Sequence, residues 1–425
     1  MAIKTISIEK LKVGMYICEL DISWIQSPFL RNKFVIKTQK EIGLLKEAGV
    51  KKLKIDNEEG IDVDQTNQKP NQEQLSENSN DAPNVKSKEE CQDNSKPVSN
   101  IPKVQPSILS KELEYVQVLK EKANETFKSL NKAIANNQPF DSSEIVPVID
   151  ETISSLMRNN QALLTMMHLK RYDKELFTHS FSVMTLALSL GISLDYSEED
   201  LHNIGSASLL HDLGWARLPL HLLGKTKAYT ENEYNVVKKH IPIVVQQLLK
   251  NPDINSEVIV MISQHHERFD GSGYPAAKKK DEIHRGAQLI GLIDHYDEVV
   301  HGLLDSPGMI PSLALKTLFI ETQNGKFDLL MVQKLIALLG IYPVTSAVLL
   351  NSGEKAVVTA INEGHPLNPI VKIFYSRNGR AMVNPEIVNL LEDKEQRKIK
   401  NPLDLGDKKN DPLNLLAMTN YKSMV

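Results

Sequence analysis

Between Gln65 and about Pro106 the chain loses the means to bury itself. The run QTNQKPNQEQLSENSNDAPNVKSKEECQDNSKPVSN holds no Phe, Tyr or Trp and few aliphatic residues. Such a segment cannot offset the entropy of its own ordering, so residues 65–106 are predicted to form a disordered polar linker, with Cys91 an exposed thiol inside it. The chain is thereby forced to fold as a small unit, residues 1–64, and a much larger one beyond the linker. A length of 425 residues leaves room for a core in each.

The small unit reads as α+β. Ile6 and Ile8 alternate with polar residues, as do Met15 and Ile17, and Leu53 and Ile55, which marks half-buried strands. Thr38-Gln-Lys-Glu41 is a capping box ahead of Ile42, Leu44, Leu45 and Ala48, and Gly49 closes that helix. Beyond the linker, Leu109, Leu113, Val116, Leu119, Ala123, Phe127, Leu130 and Ile134 recur in steps of three and four, so residues 107–139 are predicted to form one amphipathic helix. It packs on the domain that follows or, in the alternative, forms a dimerising coiled coil. Residues 140–352 are mainly helical, with caps at Ser197 and Thr230 and stops at Gly191 and Gly214. Residues 353–395 turn strand-like, Asn378-Gly379 marking a hairpin, and 396–425 form a polar tail. The fold class expected is therefore mainly α, with a small α+β unit before it and a short β-rich appendage after it.

Composition excludes several functions. A net charge of −4 leaves no basic surface for duplex nucleic acid. Cys18 and Cys91 are too few for a disulfide framework or a thiolate metal site, which points to a reducing compartment. MAIKTISIEK lacks an apolar export core and no run of 18 apolar residues occurs, so a cytoplasmic protein with no membrane span is expected.

Chemistry concentrates in the helical region. Glu175 and His179 stand four apart, and so are expected on one helix face. His211 and Asp212 are adjacent, at the end of a helix carrying Gly205, Ser206, Ala207 and Ser208, small residues that admit a close neighbour. His240 is expected to end a helix before Ile241-Pro242. His265 and His266 form a pair suited to flanking a cluster of ions, and Asp294 lies among Leu289, Ile290, Leu292 and Ile293. Each of these has an ordinary structural explanation. A carboxylate in such apolar surroundings nevertheless needs a partner, and a metal ion is one. Five histidines and three carboxylates on successive segments are better explained together than separately.

HDLG at 211–214 and HHERFDGSGYP at 265–275 closely resemble the two defining motifs of the HD-GYP domain, a branch of the HD metal-dependent phosphohydrolases. HSFSV at 179–183, LIGLIDHYD at 289–297, GIYP at 340–343 and SGEKAVV at 352–358 agree with it, and the resemblance covers about residues 140–360. The first 63 residues resemble the small domain of unknown function that often precedes HD-GYP domains. The resemblance implies an all-α HD-type domain that holds two or three metal ions and hydrolyses cyclic di-GMP to pGpG and on to GMP, with a metal-bridging hydroxide as nucleophile. Carried over by motif, the ligands are Glu175, His179, His211, Asp212, His240, His265, His266 and Asp294, with Asp212 bridging and His211 beside it in the catalytic set. Glu175 matches the extra carboxylate of three-metal members. With imidazole and carboxylate ligands and no thiolate, iron or manganese suits the site. Asp270 to Gly273 form a tight turn, and Gly273, Tyr274 and Pro275 shape the site, contact the ligand, or dock a diguanylate cyclase partner.

Two positions depart from the family. Trp215 stands where a phosphate-contacting Lys is usual, and an indole cannot supply that charge. An Arg usual after the aspartate ligand is missing from DHYDEVVHGLLD. Arg217, Lys225, or Lys278 to Lys280 are the candidates to replace them. A metal-binding but weakly active docking module, a different nucleotide substrate, and a homodimer therefore stand as alternatives. His168, His202, His221, His284, His295, His301 and His365 match no ligand position and are expected to be structural or surface residues.

Overall fold

The computed structural model describes residues 3–21, 34–47, 49–56, 109–169, 175–223, 225, 227–302, 308–362 and 364–403. The linker expected at 65–106, Cys91 within it, and the tail beyond 403 lie outside the described residues. The chain divides into two units, Met1–Asn100 and Ile101–Val425.

The first unit is a small antiparallel sheet with one helix: β1 (Ile3–Ser7), β2 (Tyr16–Leu20), β3 (Phe34–Val35), α1 (Gln39–Glu47) and β4 (Lys52–Asp56), in the strand order β1-β4-β2-β3. The alternation sets its register. Leu53 pairs with Ile6 and Ile55 with Ile17, and these four side chains share one core with Met15, Ile42 and Leu45. Ile8 is buried too, but in a 3-10 turn over Ile8–Lys10 rather than in a strand. The capping box forms: Thr38 Oγ1 accepts from the Glu41 amide at 3.3 Å, and the Glu41 carboxylate accepts from the Thr38 amide at 3.1 Å.

The second unit is mainly α. It runs through α2 (Leu109–Ala135), α3 (Ile145–Leu169), α4 (Leu176–Ser193), α5 (Glu198–Leu210), α6 (Leu220–Leu223), α7 (Glu231–Val237), α8 (His240–Leu248), α9 (Ser256–Gln264), α10 (Arg285–His301), α11 (Pro311–Gln323) and α12 (Leu329–Leu339). The stripe on α2 is buried in the same core as α4, α5 and α10, so this helix packs on its own domain as the first alternative held. α3 breaks at Asn159, whose extended backbone (φ −164°, ψ 94°) interrupts the helix; its side chain accepts from the Gln161 amide at 3.1 Å and restarts it. α4 is long and apolar enough to cross a membrane by length and composition, and 78% of its apolar window is buried inside the protein. It is the central helix of the core.

Three local expectations are corrected. Gly191 lies within α4 rather than ending it; a Cβ there would come within 2.8 Å of Leu201 Cδ2, so the glycine admits α5. Gly214 is not a helix stop but part of a 3-10 helix over Leu213–Arg217, where a Cβ would lie 1.9 Å from the His240 carbonyl oxygen. His240 does not end a helix; it opens α8, with Pro242 in the first turn, where proline needs no amide partner. Gly205 behaves as its small neighbours suggest, with a Cβ position 3.0 Å from Ile149 Cγ2.

A five-stranded antiparallel sheet follows: β5 (Ala347–Leu350), β6 (Lys355–Ala360), β7 (Ile370–Tyr375), β8 (Ala381–Asn389) and β9 (Ile399–Pro402), in the order β8-β7-β6-β5-β9. Gly379 takes a φ of +73° at the hairpin between β7 and β8. The sheet extends past both ends of the 353–395 segment, because β5 and β9 pair with each other.

Candidate metal centre

Helix ends bring the cluster together. His179 sits in the first turn of α4, His211 caps the C-terminus of α5, Asp212 follows it, His240 opens α8, and His265 caps α9 with His266 next. Asp294 comes from the buried middle of α10. His265 keeps helical backbone angles (φ −63°, ψ −22°) at the end of α9, and the His265 and His266 rings lie 4.1 Å apart by their centroids.

Four of the five rings are oriented by the other nitrogen. Nδ1 of His211, His240 and His265 lies 2.7 Å from the carbonyl oxygen three residues back, that of Ser208, Val237 and Ile262 respectively. A carbonyl only accepts, so Nδ1 carries the proton and Nε2 presents its lone pair inward. His179 Nδ1 donates to Asp297 Oδ2 at 2.7 Å, with the same result. Asp212, His240, His265 and His266 each offer a ligand atom within 4.8 Å of the others, and His179, His211 and Asp294 form a second such group. Asp212 stands between them. Its Oδ1 is 3.4 Å from His240 Nε2, while its Oδ2 is 3.6 Å from Nε2 of both His179 and His211. Asp294 also touches both, with Oδ1 3.2 Å from His179 Nε2 and Oδ2 3.6 Å from His266 Nδ1.

These residues fit a metal ion. Asp294 Oδ2 is buried with no hydrogen-bond partner, and Nε2 atoms face each other at 3.3 Å (His179–His211) and 3.5 Å (His240–His265). Imidazole nitrogens and carboxylates packed this closely need positive charge among them, supplied by protons or by a metal ion. The charges divide the cluster. Burial opposes charge at His179, but Asp294 and Asp297 overcome it and hold its pKa well above the ordinary imidazole value; Asp212 and Asp294 raise His211 likewise. Burial, together with the neighbouring imidazoles, lowers His265 to about 3 and takes His266 well below its ordinary value. Asp212 and Asp294 stay ionised despite burial because histidines surround them.

The cluster opens into a cavity of about 1060 Å³. His179, Asp212, His240 and His266 reach it, as do Trp215, Tyr229, Tyr234, Tyr274, Arg268 and Lys225. The 270–275 loop forms one wall. Gly271 has a φ of +83°, its amide bonds the Arg268 carbonyl at 2.7 Å, and Ser272 N donates to Asp270 Oδ1, which makes the expected tight turn. At Gly273 a Cβ would lie 2.4 Å from the His266 carbonyl oxygen, so only glycine fits. Tyr274 then stacks on His266 at 4.7 Å. The buried Glu267 carboxylate secures the loop, accepting from Ala276 N at 2.6 Å and Lys278 N at 3.0 Å.

Not every expected residue joins the site. Glu175 is the exposed N-cap of α4, before the helix has begun; it belongs to neither ligand group and does not line the cavity. Arg217 points to Asn137 Oδ1, 3.5 Å away, and neither it, Pro275 nor Lys278 to Lys280 line the cavity. Lys225 does, paired with Glu233. Trp215 is part of the cavity wall, its ring stacked on His240 at 5.8 Å and 15°.

The chain matches three family models in order: a domain of unknown function, DUF3391, over residues 3–145, an HD domain over 154–329, and a KOW domain associated with HD domains over 347–407. It is 27% identical over 396 residues to the cyclic di-GMP phosphodiesterase PA4108 of Pseudomonas aeruginosa, covering 91% of this chain and 89% of that one. Residues 154–329 thus form an HD domain, set between the same kinds of flanking domain that the family models describe. The cyclic di-GMP phosphodiesterase PdeB of Borreliella burgdorferi is 24% identical over 242 residues, which cover 54% of this chain and 63% of that relative. Among solved structures, Bd1817, an HDG"Y"P protein from Bdellovibrio bacteriovorus, matches 79% of the chain and 98% of its own at 18% identity, with a TM-score of 0.44.

The HD domain places further titratable residues in the cavity that the motifs alone did not yield. Asp297, Glu298 and His301 line the cavity one and two turns along α10 from Asp294. Asp297 is the acceptor that orients His179, and its carboxyl is lowered to about 2, against burial, by His301 and His179. The spacing 294, 297, 298, 301 is a helical face, so period 3.6 could have found them. His295, set aside as structural, also lines the cavity and bonds Glu321 at 2.8 Å.

Proposed function

We propose that this protein is a metal-dependent phosphodiesterase that hydrolyses cyclic di-GMP to linear pGpG, and that residues 140–352 carry the chemistry. The observation that carries the reading is Asp212, whose two oxygens face two separate groups of imidazole and carboxylate ligands. The substrate rests on the two relatives, both named cyclic di-GMP phosphodiesterases. His240, His265 and His266 would hold one ion with Asp212; His179, His211 and Asp294 would hold another. All-nitrogen and oxygen ligation favours iron or manganese. Bound there, such ions offset phosphodiester charge and lower the pKa of water. Hydrolysis adds water across one P–O3′ bond: its oxygen joins phosphorus, and the departing O3′ takes a proton. The chain itself supplies orientation. Asp297 fixes His179, three backbone carbonyls fix three other rings, and Arg268, whose guanidinium also bonds the His265 and Glu267 carbonyls, brings positive charge to the cavity.

The test is turnover of cyclic di-GMP by full-length protein loaded anaerobically with iron or manganese, with products separated by chromatography. Conversion to pGpG is expected, and Asp212→Ala should abolish it and lower metal content while the circular dichroism stays helical. No turnover with either metal, or a wild-type rate in Asp212→Ala, would overturn the reading.

A further inference from the structure

Trp215 occupies a position where charge would ordinarily be sought, yet its surroundings suit a flat apolar ligand. Its amide bonds the Asp212 carbonyl at 3.0 Å, so the indole is tied to the bridging carboxylate by three residues of 3-10 helix. One side is fixed by the His240 ring, nearly parallel at 15° and 5.8 Å. The rest of the ring contributes to the cavity wall, beside Leu220 and Leu223. Those leucines remain 85% and 48% exposed, apolar surface left in water at the edge of a polar site. A nucleotide with its phosphate among Asp212 and His240 has its base only a sugar away, within reach of this wall. Every base has a π-face and stacks on an aromatic ring without needing a directed hydrogen bond.

We propose that Trp215 is the base-stacking wall of the cavity, receiving one purine of the cyclic dinucleotide. It thereby anchors by dispersion what a lysine would anchor by charge. For its substrate this rests on the phosphodiesterase reading above. Tyr234 and Tyr274 meet edge to face at 5.9 Å elsewhere in the cavity lining, where Lys225, Arg268 and Lys326 supply the positive charge suited to phosphate.

The chain has two tryptophans, so Trp24→Phe in the full-length, metal-loaded protein makes Trp215 the sole indole emitter. GMP, which has no phosphodiester to cleave, is the probe, and ribose 5-phosphate the control. Saturable quenching by GMP and none by ribose 5-phosphate is expected. Trp215→Leu should raise the KM for cyclic di-GMP roughly tenfold, a typical value for one lost stacking contact, with kcat and metal content little changed. Trp215→Phe should recover most of the affinity. Equal quenching by both probes, no quenching by GMP, or a loss in Trp215→Leu confined to kcat and metal content would overturn the proposal; the last would make Trp215 a support for His240. Turnover without quenching refutes stacking alone, whereas GMP quenching without turnover refutes the phosphodiesterase reading and leaves stacking standing.

Discussion

Gly214→Ala should damage this protein far more than its one methyl group suggests. The added Cβ would lie 1.9 Å from the His240 carbonyl oxygen and 2.8 Å from His240 Cα. Cβ atoms in proteins essentially never approach a heavy atom within 3.0 Å, so the segments must part by at least 1.1 Å. Both partners are backbone, and no rotamer change can relieve the contact. The movement separates the segment carrying Asp212 from the one carrying His240, whose ligand atoms are now 3.4 Å apart. Overpacking of this kind costs about 1–3 kcal/mol. At about 2–4 °C per kcal/mol for a domain of this size, melting should fall by roughly 2–12 °C. Displacing a ligand should also weaken metal binding, so calorimetry and metal analysis after anaerobic loading belong together. Gly43→Ala is the control. It lies within α1 with nothing inside 4 Å of its Cβ position, and should raise the stability of its own unit by up to about 1 kcal/mol, the helix-propensity difference. A Gly214→Ala protein with wild-type melting temperature and metal content would refute the close-approach argument.

Asp297→Asn keeps the shape but loses the charge that orients His179; metal affinity should fall about 10- to 100-fold while the fold persists, and an unchanged metal titration would count against that role. Glu267→Gln replaces one of two acceptors with a donor facing a backbone amide, so hydrogen exchange at 274–280 should quicken, and unaltered exchange would show that the loop is held by other contacts. Lys316 is fully buried in α11 and its pKa is lowered to about 8 by burial, against about 10.5 unfolded. Between those values the unfolded chain binds more protons, so this group's contribution to stability rises with pH. Denaturant unfolding from pH 7 to 10 should therefore shift in favour of wild type relative to Lys316→Met, and a pH-independent difference would contradict it.

Local order was legible because its signals are local. The Thr38 and Thr230 capping boxes, the α2 stripe and the Asn378-Gly379 turn each follow from residues within a few positions of one another. The histidines and aspartates at 179, 211, 212, 240, 265, 266 and 294 were also readable as candidate ligands, since their residue types and motif spacing survive without coordinates, and the fold brings all of them together. Glu175 lies outside both groups. The i, i+4 rule holds only inside a helix, and α4 starts one residue later.

What the chain could not reveal by itself depends on contacts between segments distant in sequence. Gly191 and Gly214 look like helix stops, because a glycine's sequence neighbours do not disclose the Leu201 side chain or His240 carbonyl packed against it. Trp215 reads as a missing charge until His240, 25 residues away, is seen stacked on it. Arg217 and Lys225 were equal candidates, and only the path of the chain turns one toward Asn137 and leaves the other on the cavity wall. The sequence determines which groups can bind metal, since that is a property of residue type. Which groups share a cavity is decided by tertiary packing, and so is the ring of His179, held by a carboxylate 118 residues away; His211, His240 and His265 are turned locally, each by a carbonyl three residues back.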